Sequence, residues 1–174
     1  GAAAVRLFAV EGAAVGIIDR NQDAGEALTA ELVRAGHRAA FARADVSQKA
    51  EVEGAVAAIN AALGPVNVLF NHAGTIVIKP FLETEEADWD FLFDVNVKSM
   101  YLVTRAVLPQ MLAAGGGSIV CTSSISAVVP ASSRAARTAG SSLGPEVTRH
   151  VSPSSSRSSA PASRVTSISV SSSI

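Results

Sequence analysis

Hydrophobic and polar positions alternate along the chain in blocks of two different periods. Ala2–Glu11 reads as a helix with Ala4, Leu7 and Phe8 on one face, stopped by Gly12. Ala13–Asp19 is a nearly continuous apolar run, the pattern of a strand covered on both faces. Asn21 is placed to cap a helix that uses Ala24, Leu28 and Leu32 and ends at Gly36. Arg38–Arg43 alternates as a short strand. After Ser47, Val52, Val56, Ile59 and Leu63 fall at helical spacing until Gly64-Pro65 stops the run. Val66–Phe70 reads as another buried strand. Thr84 is placed to cap a long helix whose first turn carries Glu85, Glu86 and Asp88, complementing its positive end. Gly115-Gly116-Gly117 ends that helix before a fourth strand, Ser118–Thr122. A regular alternation of strand and helix predicts an α/β fold, a doubly wound parallel sheet with helices on both faces.

Composition changes this picture toward the C-terminus. The 174 residues suit one domain, and a 48% hydrophobic share supplies a core. Residues 1–120 hold 14 acids and 9 bases, whereas 121–174 hold 1 acid and 5 bases. From Ser141 to Ile174, 14 of 34 residues are serine, a low-complexity density. The expected organisation is therefore a folded α/β domain over 1–135 and a Ser/Arg/Pro-rich segment over 136–174.

A formal net charge of −1 offers no global field for nucleic acid or an anionic membrane, and the arginines of the tail have no aromatic residues among them for base stacking. The single cysteine, Cys121, excludes an internal disulfide framework and a cysteine-rich zinc site. No apolar stretch approaches the length that spans a bilayer, so a cytoplasmic protein is expected.

In a doubly wound sheet ligands bind beyond the carboxyl ends of the strands, which here are Asp19, Asp45, Asn71-His72-Ala73-Gly74 and Ser123-Ser124. A carboxylate at Asp19 suits the two ribose hydroxyls of an adenosine, or else caps a helix. Asp45 suits an adenine amino group, or caps the helix after Ser47. Asn71–Gly74 offers an amide to tie neighbouring segments and two small residues where backbone approaches a flat ligand; a flexible turn would need the same glycine. His72 reads as a packed or half-exposed loop histidine.

These motifs, in this order, resemble the short-chain dehydrogenase/reductases over roughly residues 1–135. Asn71-His72-Ala73-Gly74 is similar to the family's Asn-Asn-Ala-Gly motif. Asp94-Val95-Asn96-Val97-Lys98-Ser99 resembles the helix with its active-site asparagine, Asn96. Gly117-Ser118-Ile119-Val120-Cys121-Thr122-Ser123-Ser124 resembles the strand leading to the catalytic serine, Ser124. The resemblance implies hydride transfer between a nicotinamide and an alcohol or carbonyl substrate, and it allows a homo-oligomer. It places Gly1, Asp19, Arg20, Asp45, Val46, Asn71, Ala73 and Gly74 on the cofactor side. Asp19 matches the acid that selects NAD over NADP, a preference that Arg20 softens.

Two departures accompany the likeness. Gly1 matches the last glycine of the family's phosphate loop, so the first strand and earlier glycines are expected to be missing, as are the family's last strands. That first strand lies centrally in the family's sheet, so Ala13–Asp19 and Val66–Phe70 are expected to be left with unpaired edges. The family's tyrosine position falls on Arg137 and its lysine position on Ser141; Tyr101 is the sole tyrosine and no lysine follows Lys98. Beyond them, Thr148-Arg149 and Arg164-Val165-Thr166-Ser167-Ile168-Ser169 resemble pieces of the family's tyrosine-bearing helix and of its sixth strand.

Overall fold

A computed structural model describes residues 1–124 and 166–170. Helix α1 (Ala2–Val10) leads to β1 (Ala14–Asp19), followed by α2 (Gln22–Arg34), β2 (Ala39–Arg43), α3 (Lys49–Leu63) and β3 (Val68–Asn71). Then come α4 (Glu86–Phe93), α5 (Ser99–Ala113), β4 (Ser118–Cys121) and β5 (Thr166–Val170). The five strands form one sheet in the order β2-β1-β5-β3-β4, and every pair is parallel. Residues Gly1–Thr122 and the β5 region form one compact unit, and Ser123–Ser163 a second.

The helices cover both faces of the sheet, as the alternation predicts. On one face α3 and α5 bring Val52, Val56, Ile59, Val103 and Val107 against Ile18, Leu69 and Ile168. On the other, Val5 and Ala9 of α1 and Leu32 of α2 close over Val15 and Ile17. All six residues of β1 are buried, which accounts for its unbroken apolar run. Asn21 caps α2, its Oδ1 accepting the Ala24 N–H at 3.0 Å. Gly64 ends α3 with a φ of +94°, a conformation side-chain-bearing residues avoid.

Three expectations are corrected. The slot between β1 and β3 is not open: β5 fills it, so a strand from within the serine-rich segment closes the centre of the sheet. Thr166-Ser167-Ile168-Ser169-Val170 has the two-residue alternation and β-branched content a strand needs, and composition averaged over the tail hides it. The cap of the long helix is Glu85, which forms a capping box with Asp88, because the Thr84 hydroxyl instead donates to the Pro80 carbonyl. That helix is also not continuous, since a π-helical turn over Asp94–Lys98 separates α4 from α5. Smaller shifts occur at strand ends: β3 begins at Val68, because the Val66 N–H donates to the Gln110 side chain at 3.0 Å.

Candidate functional site

The carboxyl ends of β1 and β3, with α1 and α2, open on a cavity of about 790 Å³, within the range of small-molecule and cofactor sites. Gly1, Asp19, Gly25, Arg34, His72 and Gly74 are among its lining residues. Sequence-predicted residues from three separate segments thus meet at one place.

Asp19 is the last residue of β1 and only 4% exposed. Its Oδ1 accepts the Asn21 N–H at 2.8 Å, which fixes the carboxylate at the turn into α2. Gly1 caps α1 on the cavity wall and carries no side chain to cover the N–H groups of the first turn, where the helix end favours an anion. Arg6 and Glu31 pair α1 to α2 along the rim, with two hydrogen bonds of 2.6 and 2.8 Å. That bond raises the Arg6 guanidinium above its ordinary range and holds the Glu31 carboxyl below its own.

The opposite wall is built on β3. Asn71 is 2% exposed; its Nδ2 donates to Thr104 Oγ1 at 3.2 Å and lies 3.7 Å from Cys121 Sγ. The amide therefore ties β3 to α5 and β4, the role its position suggests. Asn96 sits in the π-helical turn, the kind of local widening that often re-aims a functional side chain. Its Oδ1 accepts the Thr75 N–H at 2.7 Å and its Nδ2 donates to the Thr75 carbonyl at 3.0 Å. This reciprocal pair clamps the strand-end loop just beyond Gly74, where an added Cβ would lie 3.3 Å from Asn96 Oδ1.

His72 contributes more than its sequence context suggests. Its ring stacks on Phe70 with centroids 5.1 Å apart, Nδ1 is 2.9 Å from Thr122 Oγ1, and the residue lines the cavity. Burial holds the imidazole below its ordinary range. Phe70 stands two residues before His72 on the same extended segment and so shares its face, whereas residue spacing gives no signal for Thr122, which the pairing of β3 with β4 brings to the ring.

Other predicted residues lie apart from the cavity lining. Asp45 Oδ1 accepts from the Ser47 N–H at 2.9 Å and the Ser47 hydroxyl at 2.7 Å, a local turn ahead of α3. Val46 is buried in the core, and Arg20 is exposed next to Asp19. Ser124 is exposed beyond β4 and belongs to the second unit; Arg137 and Ser141 lie outside the described residues. Among the described residues, no group of three His, Cys, Asp or Glu is placed to hold a metal, and no helix is long and apolar enough to cross a membrane.

The buried carboxylate of Asp19, the start of α1 at Gly1 and Gly74 thus share one cavity. Residues 1–141 match the family model described as short chain dehydrogenase. Cyclopentanol dehydrogenase of Comamonas sp. is 40% identical over 130 residues, covering 75% of this chain and 52% of that protein. D-threitol dehydrogenase of Mycolicibacterium smegmatis is 38% identical over 131 residues, covering 74% and 50%. The crystal structure of a metagenomic short-chain oxidoreductase in complex with NADP superposes with a TM-score of 0.70 at 35% identity, covering 80% of this chain and 63% of that one. The chain spans about half the length of the curated relatives it matches. By its matched sequence and its sheet, the chain belongs to the short-chain dehydrogenase family of oxidoreductases.

Proposed function

We propose that this chain carries the nucleotide-binding portion of an NAD-dependent oxidoreductase acting on an alcohol or carbonyl, and that these 174 residues bind the nucleotide without turnover. The observation that carries the cofactor reading is Asp19, buried at the end of β1 on the cavity shared with Gly1 and Gly74. A carboxylate there accepts the two ribose hydroxyls of an adenosine and repels a 2′-phosphate, which supports NAD over NADP. Gly1 at the start of α1 suits the pyrophosphate, and Gly74 leaves room for the flat portion of the ligand. Asn96 holds the loop after β3 in place through Thr75. A bound nicotinamide supplies the carbon that exchanges hydride with the substrate.

The proton side of the chemistry is where the sequence departs. By its resemblance to the family, Ser124 hydrogen-bonds the substrate oxygen, while the tyrosine and lysine positions hold Arg137 and Ser141. A guanidinium stays protonated at physiological pH and cannot take a proton, and a serine hydroxyl brings no positive charge to lower a neighbour's pKa. General acid–base assistance contributes roughly two to four powers of ten in rate. These two residues also favour a second reading, a non-catalytic module that binds nucleotide weakly or binds another protein. NADH absorbance with the whole chain and a panel of secondary alcohols tests the proposal. No turnover is expected, and robust turnover that Ser124→Ala abolishes would overturn it.

A further inference from the structure

The two walls of the cavity meet through a single strand. β1 pairs with β5 from Ala14↔Thr166 to Ile18↔Val170, and β3 pairs with β5 from Val68↔Ser167 to Asn71↔Val170. Asp19 follows Ile18 on one side, and Asn71–Gly74 lies on the other. The His72 N–H donates to the Val170 carbonyl at 3.0 Å, so the end of β5 also fixes the start of the β3 loop. Two neighbouring strand spacings put β1 and β3 about 10 Å apart. The separation and stagger of Asp19 and Gly74 are thus set by residues from the far end of the chain.

The two faces of β5 are unequal. Ile168 and Val170 are buried against α3 and α5 with Leu69 and Ile18. On the α1 side, Ser167 sits between Val15 and Val68, fully buried, and its Oγ has no hydrogen-bond partner among the described residues. An unpartnered buried hydroxyl opposes docking, so β5 is retained by its backbone ladders and one apolar face.

We infer that β5 is a positioning strand whose docking is coupled to nucleotide binding. A dinucleotide that reaches both Asp19 and Gly74 binds the state in which β5 holds them in register, and so stabilises that state; weakening β5 weakens binding to the extent that the fraction of chains with β5 docked falls. This rests on the dinucleotide reading given above. A strand that only adds stability would not behave this way, because its loss would lower the melting point without a specific effect on affinity.

Hydrogen exchange read by mass spectrometry, together with NAD titration of the whole chain, tests the coupling. Saturating NAD is expected to slow exchange of the Ser167–Val170 amides. Ile168→Ala is expected to weaken NAD binding about tenfold, as the site-competent fraction falls. Ile168→Val is expected to retain affinity. Leu63→Ala, a core change at the opposite end of α3, is expected to lower the melting point while changing affinity less than about twofold. Ser167→Val is expected to slow β5 exchange without nucleotide, and unchanged or faster exchange contradicts weak docking. Equal affinity losses in Ile168→Ala and Leu63→Ala, with no NAD-dependent protection of β5, overturn the coupling alone. Absence of NAD binding by the unaltered chain overturns the nucleotide reading and the coupling with it.

Discussion

Gly16 of β1 lies directly against Ile59 of α3, and adding one methyl there tests the packing that supports the site. A Cβ at Gly16 would lie 2.5 Å from Ile59 Cγ2, 3.1 Å from Ile168 Cγ1 and 3.4 Å from Ile59 Cδ1. The first distance is far inside van der Waals contact. Cγ2 is attached directly to the Ile59 Cβ, so a distal rotation cannot relieve the clash; α3 or β1 must move. Overpacking of this kind costs about 1–3 kcal/mol. Replacing glycine within a strand returns roughly 0.5–1 kcal/mol through the unfolded chain and strand preference. Gly16→Ala is therefore expected to be destabilising by about 1–2 kcal/mol, a fall in Tm of roughly 2–8 °C for a chain of this size. Urea unfolding measures the change at constant temperature. The double variant Gly16→Ala/Ile59→Leu is expected to regain most of the loss, because leucine lacks the branch at Cβ that carries the clashing methyl. A neutral or stabilising Gly16→Ala, or a double variant whose losses simply add, would refute the close approach of β1 and α3.

Asn96→Ala removes both hydrogen bonds to Thr75 and is expected to cost about 1–3 kcal/mol, with faster amide exchange at Gly74 and Thr75; unchanged exchange there would contradict the clamp. His72, held below its ordinary value of about 6.5 mainly by burial, stabilises the fold above that pH, and its contribution falls as pH drops through the folded value. A comparison of Tm against pH with His72→Asn is expected to show the unaltered chain losing stability more steeply below about 6.5, and parallel curves would remove His72 from the account.

Most of the fold was legible because burial leaves a periodic imprint. β1 is covered on both faces and reads as an apolar run, while α3 buries Val52, Val56, Ile59 and Leu63 at helical spacing. Asn21 was legible as a cap because its carbonyl oxygen is one of few acceptors at the start of α2. The π-helical turn was not, since widening a helix by one residue leaves the apolar pattern of Asp94–Ser99 almost unchanged. β5 was legible only in part: Arg164–Ser169 resembles a piece of a family strand, but its place between β1 and β3, about a hundred and more residues away in sequence, is revealed only by pairing. Of the site, Asp19 and Gly74 were readable from their places at strand ends. The contact of His72 with Thr122 and the rim pair Arg6–Glu31 arise from segments that sequence order does not bring together.

The most direct measurement is a calorimetric titration of the unaltered chain and Asp19→Ala with NAD and with NADP. The unaltered chain is expected to bind NAD with about tenfold or greater preference over NADP, a difference of about 1.4 kcal/mol or more. Asp19→Ala is expected to weaken NAD binding and narrow that preference, because the variant loses the acceptor for the ribose hydroxyls and the charge that repels a 2′-phosphate. Preference for NADP by the unaltered chain, or an Asp19→Ala variant that binds both nucleotides as the unaltered chain does, would contradict the assignment of Asp19 and the cofactor reading built on it.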